Sequence, residues 1–92
     1  MIYLFSKTEC GPCILVKKIL TAMDDPRTND INEILLDDGC SEETLELAKS
    51  YGVTATPTLL VIEGVNGDVV GEYIGGVDIA NALKGGVLDA VG

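Results

Sequence analysis

A continuous apolar run, Met1-Ile2-Tyr3-Leu4-Phe5, gives way to an amphipathic one, Ile14 to Met23, and Cys10-Gly11-Pro12-Cys13 stands at the junction. The first run is short and rich in β-formers, as expected of a strand covered on both faces. In the second, Ile14, Leu15, Val16, Ile19, Leu20 and Met23 keep helical spacing, with Lys17 and Lys18 on the other side. The chain must therefore turn from strand to helix at the cysteines. A Cys-x-x-Cys pair at such a junction reads as a redox pair. The first sulfur stays exposed for attack, and the second sits one helical turn further in, within disulfide reach. A helix starting here aims unsatisfied backbone N–H groups at Cys10, which favours its thiolate. Pro12 fits the first turn, where its missing N–H costs nothing.

The rest of the chain repeats the alternation. Asp24-Asp25-Pro26 ends the first helix, a polar connection runs to Asn32, and Ile34-Leu35-Leu36 reads as a second buried strand. After the turn Asp37-Asp38-Gly39, Ser41 caps a second helix with Glu42 and Glu43 in its first turn, where the dipole favours acids. Its apolar side is Leu45, Leu47, Ala48 and Tyr51, and Gly52 stops it. A third strand, Thr58 to Ile62, opens at Pro57, and Asn66-Gly67 turns the chain into an antiparallel return, Asp68 to Ile74. Gly75-Gly76 breaks that strand, and Asp78 is expected to cap a last helix striped by Ile79, Leu83, Val87 and Ala90, weakened or kinked at Gly85-Gly86. The fold class is α/β: a βαβ unit with a right-handed crossover, a second helix, a hairpin and a closing helix. Residues 1–92 are expected to form a single domain.

Charge and cysteine count narrow the function. Fifteen acids against six bases and no histidine give a net charge of −9, which argues against nucleic acid or an anionic membrane as partner. Without histidine the commonest metal ligand is missing, and Cys40 alone cannot complete a four-ligand zinc site, so no metal is expected. Three cysteines is an odd number, unlike a disulfide-stapled secreted scaffold, and Cys40 reads as an incidental thiol rather than a regulatory or dimer-forming one. No leader or membrane-length apolar run is visible, so a reducing cytosol and a monomer are the expectations. Tyr3 and Tyr73 read as packing residues.

At Cys10-Gly11-Pro12-Cys13 and at Tyr51-Gly52-Val53 through Thr56-Pro57-Thr58-Leu59-Leu60, the chain resembles the thioredoxin superfamily over nearly its whole length. The resemblance implies a thioredoxin fold, with a four-stranded mixed sheet flanked by helices and without the extra N-terminal strand and helix of full thioredoxins. It implies that Pro57 is cis and packs beside the redox pair. Gly11, Pro12, Thr56, Pro57, Gly75 and Gly76 would then line the substrate groove. Other features resemble glutaredoxins: Lys7 in Ser6-Lys7-Thr8-Glu9-Cys10 and Gly75-Gly76-Val77-Asp78 match positions that contact glutathione in that family, and Lys17 matches a lysine common four residues past its second cysteine. For Lys7 and Lys17 a merely solvated lysine is the alternative.

Two departures stand out. Glu9 replaces the tryptophan that precedes the first cysteine in thioredoxins, placing a negative charge that should raise the Cys10 pKa. Leu4 occupies the position of their buried aspartate, removing a proton-transfer helper for the second thiol. The implied activity is protein-disulfide reduction through Cys10, the nucleophile, and Cys13, the resolving thiol, with no bound cofactor. Electrons would come from NADPH through thioredoxin reductase. A glutathione-coupled glutaredoxin, of the kind that donates electrons to ribonucleotide reductase, is the second reading, and a redox-inactive interaction module is the third.

Overall fold

The computed structural model describes residues 1–91, and side chains as far as Asp89. The expected packing of Ala90 and the end of the domain at Gly92 therefore lie outside the described residues. In chain order the elements are β1 (Ile2–Ser6), α1 (Gly11–Met23), β2 (Ile31–Leu35), α2 (Glu42–Ser50), β3 (Thr58–Glu63), β4 (Asp68–Ile74) and α3 (Gly76–Lys84). Short 3-10 turns at Pro26–Asp30 and Val87–Val91 complete the chain. The strands form one mixed sheet in the order β2-β1-β3-β4. β1 runs parallel to β2 and antiparallel to β3, and β3 runs antiparallel to β4.

This topology gathers four chain segments at one end of the sheet. The exits of β1, β2 and β4 and the entry to β3 all lie there, so the loops carrying Cys10, Asp37, Gly75 and Pro57 converge. Each sheet face has its own core. Ile2, Leu4, Leu59 and Val61 pack with Val16 of α1 and Ile79 and Leu83 of α3. On the opposite face Phe5, Leu60 and Ile62 pack with Ala48 of α2. The strict period of two along β1 assigns its side chains alternately to these layers.

Four expectations are corrected by the structure. The buried stripe of α1 runs through Cys13 and Val16, flanked by Ile19, Leu20 and Met23, whereas Ile14 and Leu15 are 44% and 47% exposed. They stand about 100° and 200° around the helix from Cys13, and a helix laid on one sheet face covers only one such stripe. Second, β2 is not a buried strand over residues 34–36. It spans Ile31–Leu35 at the sheet edge, with Asn32, Glu33 and Leu35 exposed, because only β1 flanks it. Third, Asp78 is not the cap of α3. Gly75 takes that position at φ +92°, so the helix begins at Gly76 and Asp78 falls in its first turn, exposed. The Gly85-Gly86 pair ends α3 rather than kinking it, and Val87 lies in the following 3-10 turn, packed against the same core.

Candidate active site

Cys10 adopts an extended backbone at the N-cap of α1, where its Sγ accepts a hydrogen bond from the Cys13 N–H at 3.3 Å. Pro12 sits in the first turn of the helix, where no N–H is needed. The two cysteines are joined in a disulfide, with Cα atoms 5.1 Å apart. Their exposures differ sharply: Cys10 is half-buried, Cys13 only 1% exposed. One sulfur faces the solvent side and the other the core, an asymmetry that suits an attacking and a resolving thiol.

Thr56 and Pro57 close the site from the β3 side. Their peptide bond is cis, as the resemblance implied, and Pro57 is fully buried. The Thr56 carbonyl oxygen lies 3.9 Å from Cys10 Sγ, and the Thr56 hydroxyl donates toward the same sulfur over 3.8 Å. Thr58, one residue beyond the proline, donates its hydroxyl to the Ala55 carbonyl at 2.7 Å and so braces the loop. A carbonyl presented beside the reactive sulfur can pair with the backbone of an extended substrate segment.

The Gly75-Gly76 pair supplies the third wall, and its two members do different work. The Gly75 N–H donates to the Pro57 carbonyl at 2.9 Å, tying the end of β4 to the proline loop. Gly76 is buried, and a Cβ on it would come within 3.2 Å of Pro12 Cβ and 3.4 Å of the Pro12 carbonyl oxygen. The start of α3 thus abuts the cysteine loop, with Gly75 open to the groove and Gly76 serving as a packing contact. Pro12 and Ile14 in the first turn of α1 and Val77 in the first turn of α3 are exposed apolar residues.

The charged residues expected near the site are distributed unevenly. Lys7 and Thr56 line one groove of about 260 Å³ with Leu36, Leu45, Lys49 and Val53. Lys7 and Glu9 also border a polar recess with Thr8, Asp37 and Asp38. Lys17 is paired with Glu33 of β2 at 3.2 Å, two turns down α1 from Cys10, which ties α1 to the sheet edge. Asp78 stands exposed on the first turn of α3.

Sequence reasoning missed the clasp between Thr8 and Asp37. The Asp37 carboxylate accepts the Thr8 N–H at 2.7 Å and also the Thr8 hydroxyl, joining the loop before Cys10 to the loop after β2. These bonds, helped by Lys17 and Lys7, hold the Asp37 carboxyl below the usual range. The available signal was an acid just past a strand, in line with a loop threonine from the parallel neighbour. Cys40 is half-buried and unpaired.

A four-stranded sheet in the order β2-β1-β3-β4, with a Cys-x-x-Cys at the first helix start facing a cis-proline, defines a thioredoxin-like fold with a dithiol site. No protein-family model matches the chain. It is 36% identical to thioredoxin H2 of Arabidopsis thaliana over 59 residues, and 33% identical to the thioredoxin of Bacillus subtilis over 66 residues. These matches cover 64% and 72% of the chain, but it spans only 41% and 59% of those relatives. Among solved structures, mitochondrial thioredoxin 3 of Saccharomyces cerevisiae, in its oxidised form, superposes with a TM-score of 0.62 at 31% identity, covering 96% of this chain and 76% of that one. Oxidised thioredoxin O2 of Arabidopsis thaliana gives a TM-score of 0.68 at 25% identity, covering 97% and 71%. The chain belongs to the thioredoxin superfamily.

Proposed function

We propose that the chain is a thiol–disulfide oxidoreductase that reduces protein disulfides. The observation that carries this reading is the asymmetric pair: a half-exposed Cys10 sulfur beside the Thr56 carbonyl, bonded to a buried Cys13. In the reduced protein the Cys10 thiolate attacks one sulfur of a substrate disulfide. A bond forms between Cys10 and that sulfur, the substrate S–S bond breaks, and the other sulfur leaves as a thiolate that takes a proton from solvent. Cys13 then loses its proton and attacks Cys10 Sγ. The Cys10–Cys13 bond forms and the second substrate sulfur departs, so two electrons and two protons have passed to the substrate. An external dithiol, or two molecules of glutathione, returns the pair to the reduced state.

Two donors compete in this reading. The identical Cys-Gly-Pro-Cys core and the thioredoxin relatives support NADPH through thioredoxin reductase. Lys7 and Thr56 on one groove favour glutathione as the second reading, since that groove offers a cation and a backbone acceptor beside Cys10. The cytosol, whose poise keeps dithiols reduced, is the compartment that fits either donor. Among the described residues no helix is long and apolar enough to cross a membrane.

The experiment is one disulfide substrate in two coupled assays. One contains NADPH and thioredoxin reductase, the other NADPH, glutathione and glutathione reductase. Turnover in the first alone supports the reductase-fed reading, and turnover in the second alone replaces it with the glutathione-coupled one. No turnover in either, with both thiols titratable, points to a dedicated reductase or to an interaction module without redox chemistry.

A further inference from the structure

Among the described residues, Ser6 and Thr58 are the two polar residues buried in the core, at 0% and 2% exposure. The Thr58 hydroxyl is satisfied by the Ala55 carbonyl, but Ser6 Oγ has no hydrogen-bond partner. A buried hydroxyl left unpaired is destabilising, and a partner that exists only in another state of the protein would relieve it. The location of Ser6 indicates which state.

Along β1, Ile2 and Leu4 face the layer of α1 and α3, and the period of two puts Ser6 on the same face. Leu4 shares a cluster with Val16 of α1. The helix runs back along the strand, so moving one pleat repeat from Leu4 to Ser6 corresponds to moving one turn from Val16 to Cys13. The two steps are roughly 6.6 Å along the strand and about 4.5 Å along the helix, a difference of about 2 Å that side chains can span. On the other flank, the antiparallel register pairs Phe5 with Thr58, and one step further sets Ser6 alongside Pro57. Ser6, Cys13 and Pro57 are all among the fully buried side chains. In the disulfide form nothing bonds the serine, and the Cys13 sulfur carries neither a proton to donate nor a charge.

We infer that Ser6 Oγ is the hydrogen-bond partner of Cys13 Sγ in the reduced protein, so that this hydroxyl favours the dithiol over the disulfide. The inference rests on the redox reading of Cys10 and Cys13. When the pair is reduced, the bond between the sulfurs breaks, each gains an electron and a proton, and Cys13 Sγ becomes a donor to the serine as a thiol and a stronger acceptor from it as a thiolate. As Cys13 loses its proton to attack Cys10, the Ser6 O–H donates to the developing thiolate. The proton goes to the departing substrate sulfur through solvent, and Ser6 keeps its own. Ser6 thereby supplies part of what Leu4 cannot, since Leu4, on the same face, carries no polar group.

The test uses the full chain with Ser6→Ala and measures two quantities against the wild type. The first is the equilibrium between disulfide and dithiol in a glutathione redox buffer. Alanine removes an unpaired group from the oxidised form and a bonded one from the reduced form, so both effects favour the disulfide. A roughly tenfold shift is expected, which corresponds to about 30 mV toward more negative potential. The second is thermal unfolding of each form separately: the reduced variant should melt earlier than reduced wild type, while the oxidised variant melts no earlier than oxidised wild type. Equal changes in both forms, or an unchanged equilibrium in a protein that still cycles, would overturn the inference and mean that the hydroxyl is satisfied elsewhere. A wild-type protein whose cysteines do not interconvert in the buffer would instead overturn the redox reading beneath it.

Discussion

Replacing Gly75 with alanine isolates the backbone contribution of the junction between β4 and α3. Gly75 holds φ +92° and ψ 156°, a region that only glycine enters without strain. A Cβ built there meets nothing within 4 Å, so the cost comes entirely from the backbone. That cost is about 1–3 kcal/mol. For a domain of this size each kcal/mol lowers Tm by roughly 4–8 °C, so a central value of about 2 kcal/mol predicts a fall of roughly 8–16 °C. If Gly75 relaxes to a comfortable φ, its N–H turns away from the Pro57 carbonyl, and the proline loop beside Cys10 loosens. Disulfide reduction should then slow in proportion. Gly76→Ala is the counterpart: its φ is ordinary, but the new Cβ stands 3.2 Å from Pro12 Cβ. A displacement of a few tenths of an ångström costs on the order of 1 kcal/mol, partly offset by the better helix propensity of alanine. Differential scanning calorimetry of both variants, with a disulfide-reduction assay, checks the pair. A Gly75→Ala protein melting within about 2 °C of wild type, or a Gly76→Ala protein less stable than Gly75→Ala, would refute the reasoning.

Two other perturbations separate the site from the core. Asp37 has its pKa lowered on folding, chiefly by the Thr8 hydroxyl, so its contribution is present above the unfolded value of about 3.9 and is lost as pH falls through the folded one. Asp37→Asn should therefore flatten the acid limb of a Tm-against-pH curve below about pH 4, and also slow reduction by freeing the loop before Cys10. An unchanged acid limb would mean that the clasp does not form in solution. Phe5, fully buried and the largest side chain in the α2-side core, should cost about 3–5 kcal/mol on truncation to alanine, read by urea unfolding. A loss under 1 kcal/mol would contradict that packing.

The parts of the fold set by local chemistry were legible in the residues alone. A continuous apolar run located β1, helical spacing located α1 and α2, Asn66-Gly67 marked the hairpin, and the Cys-x-x-Cys spacing located the redox pair. What was misread depended on neighbours. Whether Ile14 and Leu15 are covered is decided by which stripe of α1 meets the sheet, and whether β2 is buried by its place at the edge. Asp78 was misplaced because a capping acid and a first-turn acid look alike in sequence, and only the positive φ of Gly75 distinguishes them. The Thr8–Asp37 clasp and the unpaired Ser6 hydroxyl require knowing that β1 and β2 are parallel neighbours and that α1 folds back over β1. Neither relation is local.

The most direct test of the central claim is trapping. Reduced Cys13→Ser and Cys10→Ser proteins would each be mixed with a protein disulfide and analysed by non-reducing gel and mass spectrometry. An exposed attacking Cys10 and a buried resolving Cys13 predict a stable mixed disulfide on Cys10 in the first variant and none in the second. Adducts of equal yield on both, or an adduct on Cys13 alone, would contradict the assignment of roles.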